Sequence, residues 1–464
     1  MPQPSLEEIT TIVVVMMENR SFDHMFGYLA LEEQWNSIQG VRPNDPEWMA
    51  KVTNTYQGKE YPPFVQRDLM GPLAGDPPHE FQDIARQMGE AVNGVFPMRG
   101  FVENYANAKT KPRITKKPPV MGYFTGDQVR VIDRLARNFA ICDHWFSSLP
   151  AGTQANRLMC MAGYSLIAHN TLPLPNHELV YDWLDERKVR WRVYHEGLPF
   201  FAMMPNQVER IIGSGNFKPL ATLIDDVNNE PPDEFPEVIF LEPSYTDAPH
   251  LGSTRDDHAP SSALGGQQFL NEVYRSIRVS PQFSSTVMII TYDEHGGFFD
   301  HVSPPLIPTI PPEGCHSNPG FRSLGVRVPA LVVSPFVSPG HCYTGVLDHT
   351  SILKFIGEKF GARNGNPQGF SREVDSRPVG SVYEVLNLAN ARDEQFVTAI
   401  PEADQYIQQE TEPVGYLPTS NAPPSTLSAA FKFGLDYVGR YAGEDSPFAE
   451  LHAAFPPDPV IHLA

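Results

Sequence analysis

Cysteine is scarce in this sequence. Four cysteines in 464 residues (Cys142, Cys160, Cys315 and Cys342), with no C-x-x-C pair among them, exclude a disulfide-stapled scaffold and a thiol-ligated metal cluster. Buried free thiols are the expected state, with a Cys315–Cys342 bridge as the alternative. Basic residues are also in deficit: 35 Lys and Arg face 55 Asp and Glu, for a net charge of -20. That balance argues against a nucleic-acid partner, which leaves a basic footprint, and against simple docking on anionic lipid. Long apolar runs are missing too. The longest near the start, residues 9–17, ends at Glu18, is too short to span a bilayer and has no basic segment before it. No signal peptide or transmembrane segment is therefore expected, which leaves a cytoplasmic chain, one exported by another route or one already trimmed. Internal repeats and charge blocks are absent as well.

What is present is material for a large core: 41% hydrophobic residues and 11% aromatic ones rule out wholesale disorder. Short Val- and Ile-rich runs at 12–17, 139–142, 237–241, 287–292 and 330–334 read as strands buried on both faces. Helical patterns at 127–138, 154–162, 178–187, 266–277 and 350–360 alternate with them. The alternation predicts an α/β fold with a mostly parallel sheet sandwiched by helices. A single domain over 1–400 is expected. Residues 37–125 would form a loop-rich insertion near a site, and 401–464 a Pro-rich C-terminal extension with one helix at 427–441.

Two of the strands empty into acid-rich segments. The first is followed by Glu18-Asn19, the fourth by Asp293-Glu294-His295-Gly296-Gly297. Strand C-terminal ends are where ligands gather in such sheets, and carboxylate and amide oxygens suit a hard divalent cation. Adjacent carboxylates are costly to bury unless a cation lies between them. Glycines 296 and 297 permit close backbone approach. The bland alternative for the first segment is a helix start, with Asn19 or Ser21 as N-cap.

Thr153 follows Pro150-Ala-Gly and precedes a helical pattern. Backbone N–H groups there would bind an anion, and a metal-bound hydroxyl could attack phosphorus. An ordinary N-cap, with Arg157 on the surface, is the competing reading. Of the 15 histidines, His79, His195 and His258 sit in polar, turn-rich contexts. His24, His295, His301 and His349 lie near the acidic segments as supporting partners rather than primary ligands.

Together these pieces resemble the phosphoesterase family of phosphatidylcholine-type phospholipases C and a bacterial acid phosphatase. The resemblance rests on ENRSFDHMFGYL at 18–29, DHWFSSLPAGTQANR at 143–157, DDHAPS at 256–261 and TYDEHGGFFDHVSPP at 291–305. It continues in VRVPALVVSPF at 326–336 and LDHTSILKFI at 347–356. It implies an alkaline-phosphatase-like core and one divalent metal ion (calcium, zinc, iron, manganese or magnesium) on Glu18, Asn19, Thr153, Asp293 and Glu294. It further implies Thr153 as nucleophile and His79, His195 and His258 as phosphate-binding or catalytic residues. A phosphodiester would be cleaved through a phosphothreonine, the Asp-Glu and Thr combination looking more like the phospholipase branch. A phosphomonoesterase and a non-catalytic binding module are the rivals. Implied partners are a phospholipid or small phosphate ester, with transient membrane contact left open and no nucleic acid. Three departures stand out: AGT-Q-A-N replaces the more usual GPT-x-P-N, two small C-terminal domains of larger bacterial members are missing, and so is an export signal. The last two weaken the expectation that the substrate is a membrane lipid.

Overall fold

A computed structural model describes residues 2–393, apart from 36, 68, 70–74, 111, 113 and 316, together with 425–441 and 448–456. Its centre is an eight-stranded sheet. In chain order the strands are β1 (Thr11–Met17), β2 (Ala140–Cys142), β3 (Trp191–His195), β4 (Phe217–Pro219), β5 (Val238–Glu242), β6 (Thr286–Tyr292), β7 (Ala330–Val333) and β8 (His341–Tyr343). They lie in the order β8-β2-β7-β6-β1-β5-β3-β4. Only β7 runs against its neighbours; the other pairings are parallel. Every residue of β1, β5 and β6 is buried, as strands covered on both faces must be.

The covering helices include α1 (Phe81–Met88), α2 (Arg130–Asn138), α3 (Thr153–Ala162), α4 (Val180–Glu186), α5 (Ala263–Arg278), α6 (Thr350–Phe360) and α7 (Thr426–Tyr441). The expected mostly parallel α/β sandwich is therefore the observed one. Five expected strands and six expected helices are present, with ends shifted by a few residues. Three strands of this sheet were not anticipated. β3 mixes charged and apolar residues, and β4 and β8 have three residues each, below any window in which periodicity is visible.

The stretch 37–125, read as loop-rich, also holds short regular elements. It carries the short helices Pro46–Val52 and Phe101–Ala106 as well as α1, and its own apolar cluster around Ile84, Met88, Phe101 and Val102. Elements this brief bury only one to three apolar residues each, which hides their period. Of the C-terminal extension, 401–424 lie outside the described residues. α7 joins the main core through Leu427, Phe431, Leu435 and Val438. All four cysteines are free, so the alternative Cys315–Cys342 bridge does not form. No helix among the described residues is long and apolar enough to cross a membrane.

Candidate active site

Strand register brings the two acidic segments together. β1 pairs with β6 residue by residue, Met17 opposite Tyr292, so both strands end side by side and Glu18-Asn19 faces Asp293-Glu294. Asn19 takes a left-handed backbone, φ 60°, which asparagine tolerates better than most residues. Its N–H then donates to Asp293 Oδ1 at 3.1 Å. The helix-start reading holds one step later: Ser21, not Asn19, caps the short helix Phe22–Phe26 through His24 N. Gly296 makes the approach possible. Its φ is +63°, and a Cβ there would lie 2.2 Å from the Asn19 carbonyl oxygen. Gly296→Ala is expected to cost about 1–3 kcal/mol in backbone strain alone and to displace Asn19. Urea unfolding of the variant beside the parent checks this; an unchanged midpoint would refute it.

Thr153 opens α3 and is fully buried. The turn before it is stapled by Asn156, whose Oδ1 accepts from Leu149 N at 2.9 Å and whose Nδ2 donates to Ala151 O at 2.6 Å. Thr153 Oγ1 points at Asn19 Oδ1, 3.4 Å away. The helix start is less open to an anion than its sequence suggests, because Gln154 N already donates to Asn170 Oδ1.

The oxygens of this cluster converge without enough protons. Apart from the long contact with the Thr153 hydroxyl, Asn19 Oδ1 faces acceptors; turned over, the amide nitrogen would donate to Glu294 Oε1 at 2.9 Å and Asp293 Oδ1 at 3.0 Å. Asp293 Oδ2 is buried without a hydrogen-bond donor, and Glu18 Oε2 has only His258 Nδ1 within reach, at 3.3 Å. Burial, with Glu18 and Glu294 close by, pushes the Asp293 carboxyl well above the usual range. A divalent cation would relieve both conflicts and would make the oxygen-inward amide the favoured one. Asn19, Thr153, Asp293 and Glu294 therefore fit a hard cation.

Glu18 is held differently. Its Oε1 accepts from Arg157 Nη2 at 3.1 Å, and Arg157 Nε lies 3.7 Å from Asp293 Oδ2. Arg157 is not on the surface but 4% exposed, stacked over Phe200 and Tyr245. It links two of the expected ligands, and its neighbouring carboxylates raise its pKa despite burial.

Two of the three histidines are brought to this centre. His79 Nε2 lies 3.5 Å from Asn19 Nδ2 and 4.0 Å from Glu294 Oε1. Burial opposes its protonation, but Glu294 and Asp76 overcome this and push it up to about 9. His258 packs edge-on against His79, ring centroids 5.5 Å apart. Its Nδ1 lies 3.2 Å from Asp247 Oδ2 and 3.3 Å from Glu18 Oε2, its Nε2 3.3 Å from Asp76 Oδ1. Burial disfavours its charge, and those three carboxylates raise it well above the ordinary value. His195 ends β3, two strands and about 10 Å from β1. Its Nδ1 donates to Gly197 O, and its ring stacks on Phe448. Burial holds it down at about 4. Among the described residues no contact joins it to Thr153 or to the acidic pair.

The supporting histidines divide in two. His349 Nε2 donates to the Asp293 carbonyl at 2.7 Å, and His295 lies between Glu294 and Gln87. His24 and His301 belong elsewhere, to Arg20 and Gly122 O and to Asp23 respectively. Asp23, Asp300 and His301 are close enough to suggest a metal, but Arg327 and backbone N–H groups already satisfy the two carboxylates. Sequence reasoning missed Arg157, Asn156, Asp76, Asp247 and Asp256. Asn156, Arg157 and Asp256 stand inside the motifs, four residues or fewer from a singled-out residue.

Comparison with known proteins identifies the family. The family model described as "Phosphoesterase family" matches residues 9–363. Non-specific phospholipase C3 of Arabidopsis thaliana is 32% identical over 424 residues, covering 86% of this chain and 77% of that protein. Phospholipase C A of Mycobacterium tuberculosis is 29% identical, covering 83% and 78%. Non-hemolytic phospholipase C of Pseudomonas aeruginosa is 25% identical, and the chain spans 60% of its length. A solved structure described as a protein in the alkaline phosphatase superfamily from Vibrio parahaemolyticus aligns over 50% of this chain and 59% of its own, at 11% identity and a TM-score of 0.28. With a family match over most of its length, this chain belongs to the phosphoesterase family and is a phosphoric ester hydrolase.

Proposed function

We propose that the protein is a phospholipase C-like phosphodiesterase that works through a phosphothreonine on Thr153. The observation that carries this reading is the buried Thr153 hydroxyl, 3.4 Å from an amide oxygen that itself faces two carboxylates. A divalent cation held by Asn19, Thr153, Asp293 and Glu294, with Glu18 beside them, would supply positive charge to the phosphoryl oxygens and ease deprotonation of the hydroxyl. The Asn156 staple holds Thr153 in place for in-line attack. His79 and His258, both held protonated, face that centre as hydrogen-bond donors to the phosphoryl group, and His258 is the group we assign to protonating the leaving alcohol. His195 has no part in this scheme.

The charge around the centre favours a diester. Asp76, Glu80, Asp247 and Asp256 all lie within the ring of groups acting on His79 or His258. A phosphomonoester carries about -1.5 to -2 charges near pH 7 and a diester only one, so the same acidic wall repels the monoester more. It would also attract a cationic head group such as choline.

The test is initial-rate hydrolysis of p-nitrophenyl phosphorylcholine and p-nitrophenyl phosphate side by side, before and after chelation. The choline diester is expected to be turned over faster, the rate lost with chelator and restored by a divalent cation. Preference for the monoester would move the protein to the phosphatase branch. Full activity in chelator would overturn the metal requirement.

A further inference from the structure

We infer that two uncharged loops on the rim of the site form a docking surface for a zwitterionic lipid–water interface. This rests on the phospholipase C-like reading and names the surface that would present its substrate. Four large aliphatic side chains stand exposed there: Val92 at 69%, Val95 at 56%, Leu306 at 50% and Ile310 at 86%. Single exposed aliphatics need no explanation, but grouped ones do. These come from loops that touch: a Cβ on Gly94 would lie 3.5 Å from Leu306 Cδ1, and Phe96 N donates to Ser303 Oγ at 2.9 Å.

Residues 91–98 and 302–312 contain no Asp, Glu, Lys or Arg, in a chain of net charge -20. An anionic surface would repel such a protein, and no basic cluster on these loops offsets that. A neutral, zwitterionic surface accepts apolar tips without that cost. The tips are also rigid. Five prolines lie between 304 and 312, Ile307 is buried with Phe146 and Leu324, and Thr309 and Phe321 exchange backbone hydrogen bonds at 2.9 and 3.0 Å. Ile310 is therefore held outward by its neighbours.

The same anchors tie the loops to the site. Phe321 packs on Phe81, ring centroids 5.8 Å apart, two residues beyond His79. Arg377 joins Thr309 Oγ1 to Ser148 O in the turn that leads to Thr153. Insertion of these tips would bring the head-group layer toward the segments that carry His79 and Thr153.

The experiment is co-sedimentation of the full chain with phosphatidylcholine vesicles in chelator, comparing the parent with Leu306→Asp/Ile310→Asp. Soluble p-nitrophenyl phosphorylcholine hydrolysis with metal serves as the internal reference. The double variant should lose at least about tenfold in vesicle partitioning, the loss expected from withdrawing one aliphatic side chain from an apolar phase, with soluble turnover within twofold of the parent. Equal partitioning of the two, or no binding by the parent, would overturn the inference. So would tighter binding to phosphatidylglycerol vesicles, or a parent dimer that the variant converts to monomer. Silence on the soluble substrate would count against the proposed activity alone, since partitioning is read independently of turnover.

Discussion

Thr153→Val is expected to reduce phosphoester hydrolysis by a factor on the order of 10⁴ or more while leaving the protein folded. Valine keeps the shape of threonine and removes only the hydroxyl. In the free protein that hydroxyl makes one long bond, 3.4 Å to Asn19 Oδ1, so its loss should change stability by no more than about 1 kcal/mol. The backbone of the turn is held by Asn156 rather than by Thr153, and the helix start should not move. Catalysis has no such reserve. With no second hydroxyl within reach among the described contacts of Asn19, no residue remains to take the phosphoryl group. Thr153→Ser retains the hydroxyl and should retain measurable turnover. The decisive measurement is single-turnover hydrolysis of p-nitrophenyl phosphorylcholine by both variants, with thermal unfolding in parallel. A valine variant within tenfold of the parent would sink the nucleophile assignment, and a valine variant that no longer folds would show a structural role instead.

The parts of this site that were legible in the sequence are those where one residue's environment is set by its immediate neighbours. Glu18-Asn19 and Asp293-Glu294 could be read because a fully buried strand, β1 or β6, runs straight into each of them. The family resemblance implied that both segments serve one metal; that their strands are adjacent and in register is seen in the pairing of Met17 with Tyr292. Arg157 was misjudged for the opposite reason. A lone arginine on a helix is usually a surface residue, and nothing local says that Glu18, Asp293 and Tyr245 arrive from three other segments to bury it. Asp76 was invisible on the same ground, since it meets His258 across 182 residues, whereas Asp247 lies in the same loop region as His258 but has no motif to mark it. His195 shows the limit of context. Its turn-rich surroundings resemble those of His79 and His258, but register puts it on β3, opposite Glu242 rather than beside Glu18.

The segment TYDEHGGFFDHVSPP also carries residues whose work is structural, and the largest stability effect is expected from the group that holds them. Arg327 is fully buried. Its Nε donates to Asp300 Oδ1 at 2.9 Å, its Nη2 to Asp23 Oδ1 at 3.1 Å and its Nη1 to the Asp143 carbonyl at 2.8 Å. Its guanidinium lies over Phe22, 4.3 Å from the ring centroid. Replacing it by methionine keeps much of the volume and leaves Asp300 buried beside Asp23, which keeps His301 as its partner. Breaking a buried pair in this way costs about 3–5 kcal/mol, a large part of the roughly 5–15 kcal/mol available to a folded domain. The penalty should depend on pH with a definite sign. Burial and Asp23 already hold the Asp300 carboxyl above its ordinary value with the guanidinium in place, and losing the guanidinium raises it further, so the folded variant binds a proton more tightly there and the deficit shrinks as pH falls through that raised pKa. Arg327→Met/Asp300→Asn should recover part of the loss by removing the stranded charge, a coupling that a double-mutant cycle measures directly. Turnover per folded molecule should stay near the parent value in both variants, since none of these groups contacts Thr153 or Asn19 among the described residues. A single variant less than 1 kcal/mol below the parent in urea unfolding, or one that is stable but inactive, would reverse the assignment and make this network part of the reacting centre.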